Sequence, residues 1–257
     1  MKPDGGLLVV DQVSKHFGGH QAVNQVSFCL QAGSIGGLIG PNGAGKTTLF
    51  DCLAGFLKPT SGRILLAGRE ISGLASCDVF AAGLARTFQI PRPFPEMSVL
   101  DNVMVAATAQ AGERFWNNWL QPELVRQQER QNKEAARHWL NFVGLSDLEQ
   151  KPARILSGGQ RKLLELARAM VSKPKLVLLD EPGAGVNPAL LDSIVDKIAA
   201  LNAQGTTFLI IEHNMDLVAE LCNPVMVMAQ GQLLVSGDAN TVLKDPRVIE
   251  AYLGTPA

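Results

Sequence analysis

Residues 40 to 48, GPNGAGKTT, place Gly40, Gly43 and Gly45 around Lys46, Thr47 and Thr48. Gly40, Gly45, Lys46 and Thr47 fit the pattern G-x-x-x-x-G-K-[ST], with Pro41, Asn42, Gly43 and Ala44 filling the interval. Such a stretch suits phosphate. Glycines let successive backbone N–H groups converge on anionic oxygens, and a helix opening near Lys46 adds about half a positive charge at its N-terminus. In this reading Lys46 reaches the β- and γ-phosphates of a nucleotide, and the Thr47 hydroxyl serves Mg²⁺. The bland alternative is a glycine-rich turn that holds nothing. The setting disfavours it, because the apolar run Ser34-Ile35-Gly36-Gly37-Leu38-Ile39 reads as a strand leading into the turn and a helix follows.

A phosphate cradle hydrolyses nothing alone; a metal ligand and a water-activating base must stand opposite it. LVLLDEP supplies both types. Leu176 to Leu179 read as a buried strand, after which Asp180 is suited to hold Mg²⁺ through water and Glu181 to polarise the attacking water. Taken in isolation, two adjacent acids after a strand are also compatible with a solvated turn. A second glycine-rich turn, Leu156-Ser157-Gly158-Gly159-Gln160, precedes a helix whose Leu163, Leu164, Leu166, Ala167 and Met170 share an apolar face. Alone it is a capped helix; beside a phosphate cradle, its N-terminus is a second contact for the γ-phosphate.

The elements that must position these groups fall into three stretches. Leu7 to Val10, Val23 to Leu30 and Ile64 to Ala67 read as strands separated by glycine-bearing turns, an antiparallel layer near the N-terminus. From Ser98 the period becomes helical: Ser98 with Asp101 resembles a capping box, followed by Leu100, Val103, Met104 and Ala107. A second helix is expected from Pro122 to a stop at Gly144. The continuous apolar runs Leu176–Leu179 and Phe208–Ile211 alternate with helices, as buried parallel strands of an α/β sheet do. Val225 to Met228 and Gln232 to Val235 form a hairpin around Gln230-Gly231, and Asp245-Pro246 opens a late helix.

Composition excludes several classes. Lysine and arginine total 23 against 24 aspartate and glutamate, a net charge of −1, so no long-range field would hold the chain on nucleic acid. Cys29, Cys52, Cys77 and Cys222 form no C-x-x-C pair, which argues against zinc and against a disulfide framework. They are expected to be reduced, buried thiols of a cytosolic protein. The N-terminus lacks a signal-peptide pattern, so the chain is expected to stay inside the cell. No stretch approaches the roughly 18 to 20 apolar residues of a membrane-spanning helix. Work at a membrane would require a partner there.

The ordered set GPNGAGKTT, TFQ, LSGGQRK, LLDEP and IIEH closely resembles the nucleotide-binding subunit of ABC transporters over nearly the whole chain. The resemblance implies an α/β fold, a P-loop NTPase (RecA-like) core with an N-terminal antiparallel β layer and an inserted helical subdomain. Residues 1–257 would be one nucleotide-binding domain, with the insert at about 89–172. It implies ATP and Mg²⁺ as ligands, and a dimer of cassettes, identical or different, in which Ser157, Gly158, Gly159 and Gln160 close over ATP bound by the opposite subunit. Gln89 matches the glutamine that touches Mg²⁺ and the attacking water and faces the membrane partner. His213 matches the switch histidine at the γ-phosphate, and Phe17 falls where an aromatic ring stacks on adenine. Where many relatives carry an aspartate in the loop after the base, this chain has Asn187, so the negative charge that would link the two sites is absent.

Within that family LARTFQIPRPFPEMSVLDNVMVA, the long helical insert and DPRVIEAYLG resemble the ATPases of branched-chain amino acid importers and their relatives for urea and amides. The implied work is that of a motor at the cytoplasmic face of the membrane, with transmembrane permease subunits as partners and a substrate-binding protein acting indirectly. The alternatives are the ATPase of a lipid or lipopolysaccharide exporter, or a soluble non-transport ABC ATPase. Phe115, Trp116, Trp119 and Leu120 in the insert are expected to pack in the core of the helical layer rather than face a partner.

Overall fold

The computed structural model describes residues 5–108, 110–113 and 115–253. In chain order it contains β1 (Leu8–Phe17), β2 (His20–Leu30), β3 (Ile35–Ile39), α1 (Lys46–Leu53), β4 (Ser61–Leu66), β5 (Arg69–Glu70), α2 (Ser76–Ala81) and β6 (Leu84–Arg86). There follow α3 (Val99–Met104), α4 (Phe115–Leu120), α5 (Pro122–Phe142), α6 (Gly158–Val171), β7 (Leu176–Asp180), α7 (Pro188–Ala203) and β8 (Thr207–Ile211). The chain closes with α8 (Met215–Leu221), β9 (Val225–Ala229), β10 (Gln232–Gly237), α9 (Ala239–Val242) and α10 (Pro246–Leu253). Two compact units emerge: the first takes in the chain through Gln89, Lys175–Ala184 and everything from Ile198, the second Ile90–Pro174 and Gly185–Lys197.

The first unit holds two sheets. One is antiparallel in the order β2-β1-β4-β5. In β1 the buried residues Val10 and Val13 are three apart, a spacing that strict alternation would send to opposite faces. A register shift between them, with Gln12 at φ 50°, inserts a bulge that turns both inward. The Gln12 N–H released from the ladder donates to Ser27 Oγ at 2.8 Å.

The second sheet runs β10-β9-β3-β8-β7-β6, parallel except for the antiparallel edge strand β10. β3, β7 and β8 are buried along all their residues, which is why they read as unbroken apolar runs. Leu38, Phe50, Leu178, Leu209 and Met226 belong to one core cluster in this unit. Gln230 and Gly231, at φ 49° and 78°, make the tight turn that joins β9 to β10.

In the second unit Ser98 caps α3, its Oγ accepting from the Asp101 N–H at 3.0 Å. α3 ends at Met104, short of Ala107. α5 begins at Pro122 and stops two residues before Gly144, which sits at φ 75°. Leu100, Val103, Ala136, Leu140, Leu163, Leu164 and Ala167 are buried where α3, α5 and α6 pack. Asn102, also buried, donates to the Phe94 and Ser98 carbonyls and accepts from the Phe94 N–H, pinning the preceding loop.

Two expectations about burial are corrected. Trp116, Trp119 and Leu120 are 67%, 82% and 71% exposed, so this face of α4 is not core; the Phe115 side chain lies outside the described residues. Helical spacing identifies a shared face but not what covers it. Cys77 is exposed at the start of α2 and Cys29 is intermediate, whereas Cys52 and Cys222 are buried. Among the described residues no helix is long and apolar enough to cross a membrane.

Candidate nucleotide site

The glycine-rich turn begins where β3 leaves the core. Gly40 has φ 149°, and a Cβ there would lie 2.1 Å from the Met228 carbonyl oxygen, so no other residue fits without moving backbone. Gly45, at φ 96°, is the N-cap of α1, and its missing Cβ would stand 2.3 Å from the Ala22 carbonyl. α1 carries no acid in its first turn, which leaves the positive end of its dipole unopposed there. Thr47 is exposed on that first turn, while Lys46 is buried at 6% exposure. Lys46 Nζ donates to the carbonyls of Gly40 at 2.7 Å and Pro41 at 3.0 Å. Burial pushes its pKa below the ordinary lysine value, and the charges of Glu181 and Asp180 oppose that shift.

Asp180 ends β7 and is 8% exposed, paired through Oδ2 to Arg86 at 3.1 Å. Burial pushes its pKa up; the Arg86 hydrogen bond and charge pull it down. Glu181 follows at φ 48°, a left-handed conformation that costs a non-glycine residue about 1–3 kcal/mol. The turn breaks strand alternation immediately after Asp180. Its backbone is held by a 3.0 Å bond from the Glu181 N–H to the Ile211 carbonyl.

Three sequence-predicted groups converge there. Gln89 Nε2 donates to Glu181 Oε2 at 2.6 Å, and His213 Nε2 lies 3.1 Å from Glu181 Oε1. Glu212, which motif reading passed over, explains how His213 is placed. Its carboxylate is buried and accepts from the N–H groups of Gly183 at 2.8 Å, His213 at 3.0 Å and Asn214 at 3.4 Å. It thereby ties the loop after β7 to the loop after β8. Arg86 was also missed, although an arginine closing the short apolar stretch Leu84-Ala85 three residues before Gln89 is the visible signal.

Phe17 ends β1, 47% exposed, with Lys15 Nζ 5.1 Å from its ring centroid. Ser157, Gly158, Gly159 and Gln160 lie in the second unit. There Ser157 Oγ accepts from the Gln160 N–H at 3.2 Å and Gln160 Oε1 accepts from the Ser157 N–H at 3.0 Å, a complete capping box for α6. A Cβ on Gly159 would meet Leu190 Cδ2 at 1.9 Å. Asn187 accepts from the Leu190 N–H at 2.9 Å, a capping role at the start of α7 that an aspartate would also fill.

Comparison with known proteins decides the family. The model described as ABC transporter matches residues 23–184. This chain belongs to the ABC transporter family. Its fold is accordingly the P-loop NTPase cassette, and it is an ATPase, the motor subunit of an ABC importer. A second model, branched-chain amino acid ATP-binding cassette transporter, matches residues 232–257.

Among its relatives, the branched-chain amino acid transport ATP-binding proteins BraF of Pseudomonas aeruginosa and LivG of Escherichia coli K12 are 40% and 41% identical. Each alignment covers 96% of this cassette and 98% of the relative. A probable LivG of Archaeoglobus fulgidus is 38% identical over 96% of the cassette and 95% of the relative. Among solved structures, a nucleotide-free cassette from an ABC transporter superposes with TM-score 0.85 at 36% identity, covering 98% of this cassette and all of that chain. An ATP-binding cassette in its ADP conformation gives 0.82 at 35% identity, with the same coverage.

Proposed function

We propose that this cassette drives uptake of branched-chain amino acids or a related small polar solute such as urea or an amide, by hydrolysing ATP within a dimer of cassettes. The convergence of Gln89 and His213 on the Glu181 carboxylate, in the unit that carries the phosphate cradle, is the observation that carries the catalytic half of this reading. The substrate half rests on full-length similarity to the branched-chain relatives and on the family model matched at residues 232–257. That terminal match also disfavours an exporter ATPase.

The backbone N–H groups of residues 40–48, Pro41 excepted, bind the phosphates, and Lys46 exchanges its carbonyl partners for β- and γ-phosphate oxygens. Phe17 stacks on the adenine. Glu181 takes a proton from the attacking water, Gln89 orients that water, and His213 holds the γ-phosphate. Among the described residues no three carboxylate, histidine or cysteine side chains form a metal cage. The donors present, the Asp180 carboxylate, the Thr47 hydroxyl and the Gln89 amide oxygen, suit a cation that shares its shell with phosphates and water, as Mg²⁺ does. Bound there, Mg²⁺ supplies charge neutralisation for the transferring phosphoryl group. Ser157, Gly158, Gly159 and Gln160 serve the ATP of a second cassette, which is why the working unit is a dimer. Transmembrane permease subunits hold the cassettes peripherally at the cytoplasmic face, and a substrate-binding protein delivers the solute.

The test is to recover the tagged chain with its polytopic partners from native membranes and reconstitute the complex in vesicles with ATP at the cassette side. ATP-dependent uptake of labelled leucine, competed by unlabelled valine, is expected; competition by urea or an amide instead would move the substrate within the proposed class. A reconstituted complex that hydrolyses ATP but accumulates none of these solutes would overturn the substrate assignment.

A further inference from the structure

Arg86 is the last residue of β6, and its partner across the parallel ladder is Leu178, two residues before Asp180. The Thr87 N–H bond to the Leu178 carbonyl, 2.9 Å, continues that ladder. Sheet register therefore brings the guanidinium to the carboxyl end of β7. Its side chain is 7% exposed, with Nη2 donating to Asp180 Oδ2 at 3.1 Å and Nη1 to Asp51 Oδ1 at 2.5 Å. Asp51 lies on α1, five residues after Lys46. The ring centroids of Phe50, Phe56 and Phe88 stand 5.9, 5.5 and 5.8 Å from the guanidinium carbon, within cation–π range. The nitrogen Nε is buried and, among the described residues, has no hydrogen-bond partner. The head group is thus held by two carboxylates and three rings, in one orientation.

Burying an arginine is costly, but an apolar side chain in its place would leave the buried Asp180 carboxylate without a charge partner. What the arginine adds is direction. It engages Oδ2 of Asp180 and leaves Oδ1 outside that contact. We propose that Arg86 is a positioning residue for the metal side of the nucleotide site: it fixes the Asp180 carboxylate by Oδ2, presents Oδ1 to the divalent cation, and through Asp51 keeps that carboxylate in register with the helix bearing Lys46 and Thr47. This rests on the reading of Asp180 as the acid that serves Mg²⁺. It also gives the short edge strand β6 a purpose, since the same strand delivers Gln89 three residues later.

Three accounts of Arg86 differ in sign. Positioning makes its loss weaken cation binding. Simple charge repulsion makes the loss of a neighbouring cation strengthen it. A purely structural role leaves it unchanged in a folded variant.

The probe is Mn²⁺, followed by electron paramagnetic resonance on chain saturated with a non-hydrolysable ATP analogue, beside analogue affinity in EDTA. Arg86→Gln is expected to weaken Mn²⁺ binding about tenfold or more, the scale typical of groups that orient metal ligands, with metal-free analogue affinity unchanged. Arg86→Lys keeps the charge and stem inside the aromatic cage and carries the test if the glutamine variant does not fold; about threefold weakening is expected of it. Asp180→Asn is the control. If it weakens Mn²⁺ and both folded arginine variants leave Mn²⁺ unchanged or tighter, the positioning role is overturned while Asp180 keeps its place. If Asp180→Asn itself leaves Mn²⁺ binding intact, the metal reading fails and the inference fails with it.

Discussion

Glu181→Gln removes one proton acceptor and almost no volume. In the native chain Oε2 receives the Gln89 amide at 2.6 Å and Oε1 faces His213 Nε2 at 3.1 Å. A glutamine retains one acceptor oxygen for these partners but no base. A general base contributes roughly 10² to 10⁴ in rate, or about 2.7 to 5.4 kcal/mol of barrier at 1.36 kcal/mol per tenfold. Turnover should fall by that factor. ATP affinity should hold, because the substitution takes a negative charge away from the vicinity of the phosphates. Glu181 is partly exposed, so stability should change by no more than about 0.5 kcal/mol, about 2 °C in thermal midpoint for a chain of this size. The assay is phosphate release by wild type and variant across a wide protein concentration range, with the mass of the ATP-bound variant measured by light scattering. An ATP-dependent dimer with little turnover is expected. A variant that hydrolyses ATP within about threefold of wild type would refute Glu181 as the base, since even the smallest general-base term exceeds that.

Lys46→Ala should weaken ATP binding about 10- to 100-fold in calorimetry, the worth of a hydrogen bond to a charged group of about 1.5–3 kcal/mol; unchanged affinity would count against the cradle. Ser157→Ala breaks the capping box of α6 and should cost about 0.5–2 kcal/mol in denaturant unfolding, a loss that must be separated from any effect on ATP-driven dimerisation. Burial pushes the thiols of Cys52 and Cys222 up to about 11 and about 12, so their thiolate fractions at neutral pH are about 10⁻⁴ and 10⁻⁵. N-ethylmaleimide should therefore modify the exposed Cys77 in the native chain and reach Cys52 and Cys222 only on unfolding, as peptide mass mapping would read; early labelling of Cys222 would contradict its burial.

Local chemistry wrote much of this molecule into its sequence. Ile35–Ile39, Leu176–Asp180 and Thr207–Ile211 are strands buried along their whole length, and such strands have no polar alternation to hide them. Gly40 and Gly45 stand where backbone must pass backbone, a constraint one residue type meets, so the glycine-rich turn after β3 was visible as spacing alone. Ser98, Ser157 and the proline at Pro122 mark helix starts through interactions spanning three residues or fewer, and these too were legible.

Contacts between distant segments were not. Gln89, Glu181 and His213 come from three strand ends, and their hydrogen-bonded convergence exists only because the parallel register of β6, β7 and β8 brings those ends side by side. Arg86 and Glu212 sit inside recognisable motifs that do not state what they touch; a buried charge acquires meaning from the carboxylates or amides that surround it, and those are supplied by other strands and loops. The exposed Trp116 and Trp119 make the same point in reverse, because periodicity along one helix carries no information about its neighbours. Which stretch carries the glycine-rich turn and which the adjacent acids is legible in residue order, since those demands act within a few residues. Which acid faces which partner is set in the folded sheet, because hydrogen bonds of about 3 Å depend on strand register rather than on residue order.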